Sequence, residues 1–473
     1  MHRNTSGRNC LIASLFWVSF SFAAHAQNVA MTPLHTFATT SSLGAAPTYV
    51  TSLLLGKVDG AIYGTTYQDQ TNGTIFSMNT DGSGYAVLHS FEGEESPSPV
   101  AYGVGNGNAE PRVIQASDGL LYGTTPAGGA FGLGMVFRCN PNGSAFTVIH
   151  DCSSFDSPCN IMQGADGALY VVGTSIFRID GNGNSYSVLY TFTNGVDGGE
   201  PFSSLLQATN GALYGTCYLG GTNSNGTLFT IQTNGSGFKV LHTFGNNDGI
   251  NPLGTLIQGG DGALYGTTWA SLTNSHGQAG VVYKIDTDGG NYQILHAFTT
   301  GGNDGGSPAS GLVETADHML YGTTFAGGNI GAGKQLGTVY RIGLDGDGYS
   351  TVYYFTNSSP LGQKPIAGLV KGQTQGNIGV LYGATSQGPN ALVGEATVFA
   401  MLVNPPLSIT PVVNQTGSNQ TTLFWPQWAA KYSLQATTNP ASSNWVTVTD
   451  AVPVFGAQIT GTNPAMFYRL VSP

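Results

Sequence analysis

Five histidines, His35, His89, His150, His242 and His296, invite a reading as metal ligands, because each holds the same place in a recurring V-L-H-x-F-like segment. Those segments belong to separate repeats, so the rings are expected to lie far apart, whereas zinc needs its ligands about 2 Å from one point. No Cys/His run has metal-type spacing, and neither a metal nor a cofactor is expected. Asp286-Thr-Asp288 and Asp345-Gly-Asp347 resemble the start of a calcium loop. The twelfth position counted from Asp286 is Ala297, where a bidentate Glu is needed, so both read as hairpin turns. Three further segments share an Asp-Gly…Pro pattern: Asp197–Pro201, Asp248–Pro252 and Asp304–Pro308. Two readings stay open. Asp starts a turn and Pro sets the entry of the next strand, or Asp197, Asp248 and Asp304 ring a channel mouth and bind a cation or sugar hydroxyls.

Paired carboxylates could cleave a glycosidic bond at separations of about 5–9 Å. The candidates Glu92, Glu94, Glu95, Asp151, Asp156, Glu200 and Glu395 carry no pattern that pairs them, and they read as solubilising surface acids. Serine nucleophile elbows and phosphate loops are absent. Off-repeat aromatics that could stack on a sugar are Tyr67, Phe131, Tyr218, Trp269 and Phe325. Trp269 stands out because it directly follows the repeat threonine Thr268.

The elements that must position these residues are repeats. Thr255–Thr268 reads T-L-I-Q-G-G-D-G-A-L-Y-G-T-T, and its tyrosine recurs at Tyr63, Tyr122, Tyr170, Tyr214, Tyr265, Tyr321 and Tyr382, 44 to 61 residues apart. A second element supplies Phe76, Phe137, Phe177, Phe229, Tyr283, Tyr340 and Phe399, and the V-L-H-x-F element is the third. Seven repeats of several short strands predict an all-β, seven-bladed propeller. Calling the strands A (G-L-V-x-x), B (A-L-Y-G-T-T), C (T-V-F-x-I) and D (x-V-L-H-x-F), Asp-Gly or Asn-Gly joins A to B, as at Asp118-Gly119. Such a pair predicts a tight turn with both residues at positive φ. The third element is offset: Leu34–Phe37 precedes the first tyrosine, and none follows Tyr382. The N-terminal segment is therefore expected to supply the outer strand of the last blade and to hide its edge. The A–B and C–D turns then share one face of the disc. The variable B–C and D–A loops share the other, where binding is expected. The third repeat, Leu169–Phe177, has almost no B–C loop.

Residues 1–26 read as a secretory signal, with Arg3 and Arg8 ahead of the apolar run Leu11–Ala24 and an Ala24-His25-Ala26 cleavage site. No other segment is long and apolar enough to span a membrane. Removing the leader takes the formal charge from −11 to −13, which argues against nucleic acid and anionic membrane surfaces as partners. Cys152 and Cys159 could pair in an oxidising compartment, while Cys139 and Cys217 read as small buried side chains. The propeller is assigned to 27–404. Pro405-Pro406 marks a boundary, and 405–473, with three of the five tryptophans, reads as a small β-sandwich.

The D-G-x-L-Y-G-T-T…G-T-V-F…V-L-H-x-F pattern over Leu34–Leu402 resembles the Gloeo/Verruco tandem repeat family of bacterial propeller-like proteins. The third and seventh copies depart from it, with Val171-Val172 and Ala384. The resemblance implies an exported, extracellular protein with no defined reaction and no catalytic residues to carry over. The tail, L-F-W-P…Y-S-L-Q-A-T-T-N…W-V-T-V…M-F-Y-R-L, looks like a fibronectin- or immunoglobulin-like module. The function expected is secreted, non-enzymatic binding of a glycan or an extracellular protein. A polysaccharide-active lyase or hydrolase and a structural surface-layer component are the alternatives.

Overall fold

The computed structural model describes residues 31–37, 49–68, 71–92, 112–153, 158–245, 248–270, 279–299, 304–328, 336–356, 359–372, 379–387 and 396–403, together with six strands beyond residue 409. Up to residue 403 these form seven antiparallel blade sheets in meander order, with a two-stranded ladder of Gly305–Gly306 and Ala326–Gly327 beside the sixth. Blade 1 is Tyr49–Leu55, Ile62–Gln68, Thr71–Met78 and Ala86–Ser90. Blades 2, 3 and 4 carry their B strands at Leu121–Thr125, Leu169–Gly173 and Leu213–Cys217. Blades 5 and 6 carry theirs at Leu264–Ala270 and Met319–Thr324. In blade 7 the strands Gln363–Lys371, Gly379–Gln387 and Thr397–Val403 are completed by Met31–Thr36. Met31 faces Met401 and Thr36 faces Thr397, so the first strand closes the ring, as the offset of the third repeat element predicts.

Strands rich in Val, Ile, Tyr, Phe and Thr suit the pleat. B and C strands are buried along almost their whole length, because each is covered by the sheets on either side. The second-element aromatics Phe76, Phe137, Phe177, Phe229, Tyr283, Tyr340 and Phe399 are fully buried. The glycine of L-Y-G-T-T makes room for them: a side chain on Gly123 would run into the Phe137 ring and the Arg112 carbonyl.

The repeat histidines join one blade to the next. His35 of the closing strand stacks on Tyr85 of blade 1 at 4.0 Å between centroids. The same stack recurs for His89 on Phe146, His150 on Tyr186, His242 on Tyr292 and His296 on Tyr349, at 3.7, 4.4, 4.0 and 3.5 Å. Tyr190 takes the histidine's place in blade 3, against Phe238 at 3.7 Å. Pairs of this kind contribute about 0.5–1.5 kcal/mol beyond their buried area.

The A–B turns differ from the predicted type. Only the glycine has positive φ, for example Gly119 at 83°. The Gly119 N–H donates to Ala116 O and the Ala116 N–H to Leu120 O, so the loop is a type I turn ending in a left-handed bulge residue. The aspartate keeps ordinary φ because its carboxylate is engaged. Asp118 accepts from the Leu120 N–H and from the Tyr122 hydroxyl four residues on. The next blade then caps the turns of blades 1 to 5. Val58, Ser117, Ala165 and Thr209 N–H groups donate to the side-chain oxygens of Gln115, Gln163, Gln207 and Gln258, and Gly260 N–H donates to Glu314.

Beyond residue 409 the strands pair as two three-stranded antiparallel sheets, and Leu407–Pro473 falls in a separate compact unit from Asn28–Pro406. The secretory signal expected at 1–26 lies outside the described residues.

Two substitutions test this packing. Phe37, 3% exposed at the end of the closing strand, packs against Phe76 of blade 1. Phe37→Ala is expected to cost about 3–5 kcal/mol in urea unfolding. The hydroxyl of Tyr340 is buried without a hydrogen-bond partner, at a position where most blades have Phe. Tyr340→Phe should raise stability by about 1 kcal/mol in the same assay.

Candidate functional site

The D–A and B–C loops build one recurring device in blades 4 to 7. The residue before the D–A proline is left-handed in each: Glu200 (φ 52°), Asn251 (58°), Ser307 (54°) and Lys364 (55°). A residue before proline normally avoids the helical regions, and any non-glycine residue with φ > 0 carries strain. Each lies opposite the residue that follows the L-Y-G-T-T threonines. Tyr218 N–H donates to Glu200 O, and Phe325 N–H to Ser307 O. Ile250 and Pro252 pair with Ala270 and Thr268, which places Asn251 opposite Trp269. Gln363 and Pro365 pair with Gln387 and Thr385, which places Lys364 opposite Ser386.

Contacts across blade boundaries join these units into an arc. Asn251 Nδ2 donates to the Tyr218 carbonyl at 3.0 Å. The Trp269 ring meets Phe325 at 5.6 Å, inclined at 45°. Lys364 Nζ sits 5.1 Å from the Phe325 ring centre, on its face. Trp269, Phe325 and Lys364 are all half-buried, with surface left for contact. The opposite end of the arc carries Glu200 beside Tyr218. Partial desolvation raises the Glu200 carboxyl above its usual range, and burial followed by the Glu200 charge raises the Tyr218 hydroxyl.

Sequence-predicted residues fall in different places. Trp269, Tyr218 and Phe325 come together on the arc. Phe131 stands apart from that arc, 68% exposed in the blade 2 B–C loop, and the side chain of Tyr67 lies outside the described residues. Asp197, Asp248 and Asp304 are each engaged by hydrogen bonds within their own blade edge and loop. Each turns toward the outermost strand and clamps its own loop. Asp197 accepts from the Tyr190 hydroxyl and from the Thr193 and Gly195 N–H groups. Asp248 pairs with His242 Nε2 at 2.8 Å and accepts from the Gly245 N–H. Asp304 meets His296 Nε2 at 3.2 Å and accepts from the Thr299 N–H and the Tyr349 hydroxyl. These contacts tie each carboxylate to its own loop and to the strand before it. Burial works against the charged form of Asp304, but the bonds from His296, Tyr349 and Thr299 outweigh it, and its pKa lies below the usual value of 3.8. Among the described residues no three His, Cys, Asp or Glu side chains gather where they could hold a metal ion. Cys152 is buried, and the Cys159 side chain lies outside the described residues.

Between the inner strands lies a cavity of about 200 Å³, lined by Thr51, Arg112, Gly254, Ser310, Gly311 and Gly368 among others. That is below the usual size of a drug-sized ligand pocket, roughly 300–1,000 Å³. The row of strained pre-proline residues is the part of the site that sequence reasoning missed. Its signal was present in the constant Asp-Gly…Pro frame, where the residue before Pro changes from Glu to Asn to Ser.

Seven four-stranded blades with variable loops on one face define the molecule as a β-propeller. Two adjoining matches to the Gloeobacter/Verrucomicrobia repeat, over residues 20–175 and 172–334, cover more than half of the chain, which belongs to that repeat family. No match was found among curated proteins. Among solved structures the chain is similar to a streptogramin B lyase, at 15% identity and TM-score 0.51, covering 80% of this chain and 99% of the lyase. It is also similar to a catalytically inactive variant of virginiamycin B lyase from Staphylococcus aureus with quinupristin, at 15% identity and TM-score 0.52, covering 80% and 100%. At this identity the likeness shows the fold.

The loop clamps make a pH prediction. A carboxylate held below its unfolded pKa stabilises the fold above that value, and the contribution is lost as pH falls through the folded one. Wild-type stability should therefore drop as pH falls below about 3.8. Asp304→Asn should remove about 1–3 kcal/mol at neutral pH and flatten the acid limb, as read by urea midpoints across pH.

Proposed function

We propose that this protein is a secreted, non-enzymatic binding protein that recognises a glycan through the loop face of its propeller. The observation that supports it most is the Trp269–Phe325–Lys364 arrangement. Half-buried aromatic faces beside a cation, carried on a rigid repeat scaffold, suit the apolar C–H faces and polar groups of a sugar ring. The leader-like residues 1–26 support export, and the acidic charge of the chain speaks against nucleic acid.

On a glycan array of the full chain, specific binding to a subset of glycans is expected. Trp269→Ala should weaken it by at least tenfold while lowering the urea midpoint only by the loss of one half-buried ring and its contact with Phe325, so that the variant stays folded in the assay. Silence of the wild type across the array would sink the proposal.

One observation favours an enzymatic alternative, a polysaccharide lyase or hydrolase. Glu200 and Tyr218 are an acid and a hydroxyl side by side on the loop face; desolvation raises both, and the Glu200 charge adds to the rise at Tyr218. A carboxyl and a hydroxyl close together on a loop face are candidates for proton transfer. Chain cleavage of a bound polysaccharide, abolished in Glu200→Gln and Tyr218→Phe, would establish that alternative. Binding without product formation would exclude it for the glycans bound.

A further inference from the structure

The four left-handed positions share one backbone and differ in side chain. Glycine would relieve the strain at every one of them, since it takes φ > 0 without steric cost. Glu200, Ser307 and Lys364 instead keep side chains ill-suited to that conformation; only Asn251 is a residue type that tolerates it. Strain held at a loop position, where the surrounding ladder fixes the backbone, points to a role for the side chain.

The chemistry along the row has a direction. Glu200 stands at the blade 4 end, Asn251 and Ser307 follow, and Lys364 stands at the blade 7 end. The ammonium of Lys364 lies on the Phe325 face, and among the described residues it forms no ion pair with a carboxylate. The chain holds 14 Lys and Arg against 25 Asp and Glu. A ligand anion is therefore not attracted by the whole surface; it is favoured at a fixed cation and disfavoured beside Glu200. Along the row Trp269 stands opposite Asn251 and touches Phe325, on whose face Lys364 lies, so a sugar stacked on Trp269 would have Lys364 toward one end and Glu200 toward the other.

The geometry points to an anionic oligosaccharide as the ligand, with its carboxylate or sulfate at Lys364 and its hydroxyls toward Asn251 and Glu200; the four pre-proline side chains set the specificity. This deepens the glycan-binding function proposed above and rests on it. Lys364 contributes a charge-assisted contact, which an uncharged sugar cannot make.

The test titrates the full chain with cello-oligosaccharides, with the same chains oxidised at C6 to uronates, and with sulfated chains of equal length. Wild type is expected to prefer one of the anionic sets over the neutral one by about tenfold or more, the scale of one charged contact. Whether the uronate or the sulfated set binds tighter identifies the anion. Lys364→Gly should abolish the preference and raise the urea midpoint, because the strain is relieved. Lys364→Arg should keep the preference. Equal affinity for neutral and anionic chains overturns the assignment of the anion while leaving glycan binding intact. So does a Lys364→Gly variant that keeps the preference. A Lys364→Gly variant of lower stability shows that the residue serves the fold, and also overturns it. Failure of wild type to bind any of the three sets overturns the anionic assignment, while the array decides separately whether the glycan-binding function stands.

Discussion

Everything on the loop face depends on one hydrogen-bonded seam, the pairing of Met31–Thr36 with Thr397–Val403. A four-stranded blade is too small to bury its own faces, and it exposes an edge that invites mispairing. Its B and C strands become core only when a blade stands on each side. Closing the ring gives every blade two neighbours, so the fully buried row from Phe76 to Phe399 exists because the first strand finds the last sheet. The His35–Tyr85 stack extends the same aromatic ladder across the seam. Burial lowers the His35 pKa, so that ring favours its neutral form within the ladder and resists protonation.

The two faces of the disc divide the work. On the turn face the chemistry repeats over blades 1 to 5: a turn aspartate or asparagine is bonded to the repeat tyrosine, and a glutamine of the next blade, or Glu314 in the last case, caps the turn. At Asp59, burial opposes ionisation, yet bonds from Tyr63, the Ala61 N–H and Gln115 outweigh it and hold the carboxyl below its ordinary pKa. On the loop face the outer part is also structural, with Asp197, Asp248 and Asp304 tying each loop to the D strand. That clamp fixes the backbone three residues further on, where Glu200, Asn251 and Ser307 stand in their left-handed conformations. The rim is thus what makes the strained row possible.

Much of the fold was legible because the repeat reports itself seven times, and the offset of one element revealed the closing strand. The turn type was not legible. Asp-Gly is the signature of a turn with two positive φ values, but here the aspartate side chain bonds the backbone two residues on and the tyrosine four residues on, which selects a type I turn. The site was legible in pieces. Trp269, Tyr218 and Phe325 announce themselves as aromatics out of place in the repeat. Lys364 does not, because a residue before proline reads as extended chain, and because its partner Phe325 is contributed by the neighbouring blade. The role of Asp197, Asp248 and Asp304 was ambiguous for a related reason: the His, Tyr and Thr groups that engage them carry no signal of distance in the sequence.

The closing seam also sets the order of events in folding. Thr36 and Thr397, whose hydroxyls meet at 3.3 Å, are 361 positions apart in the chain. The entropic cost of closing a long loop grows only with the logarithm of its length, so the equilibrium penalty is modest. The rate is another matter, since pairing at such separation is slow to form. The strand made earliest must wait, with its edge unpaired, for the strand made last. Once joined, it acts as a latch: a contact acquired after the folding transition state slows unfolding rather than adding large equilibrium stability.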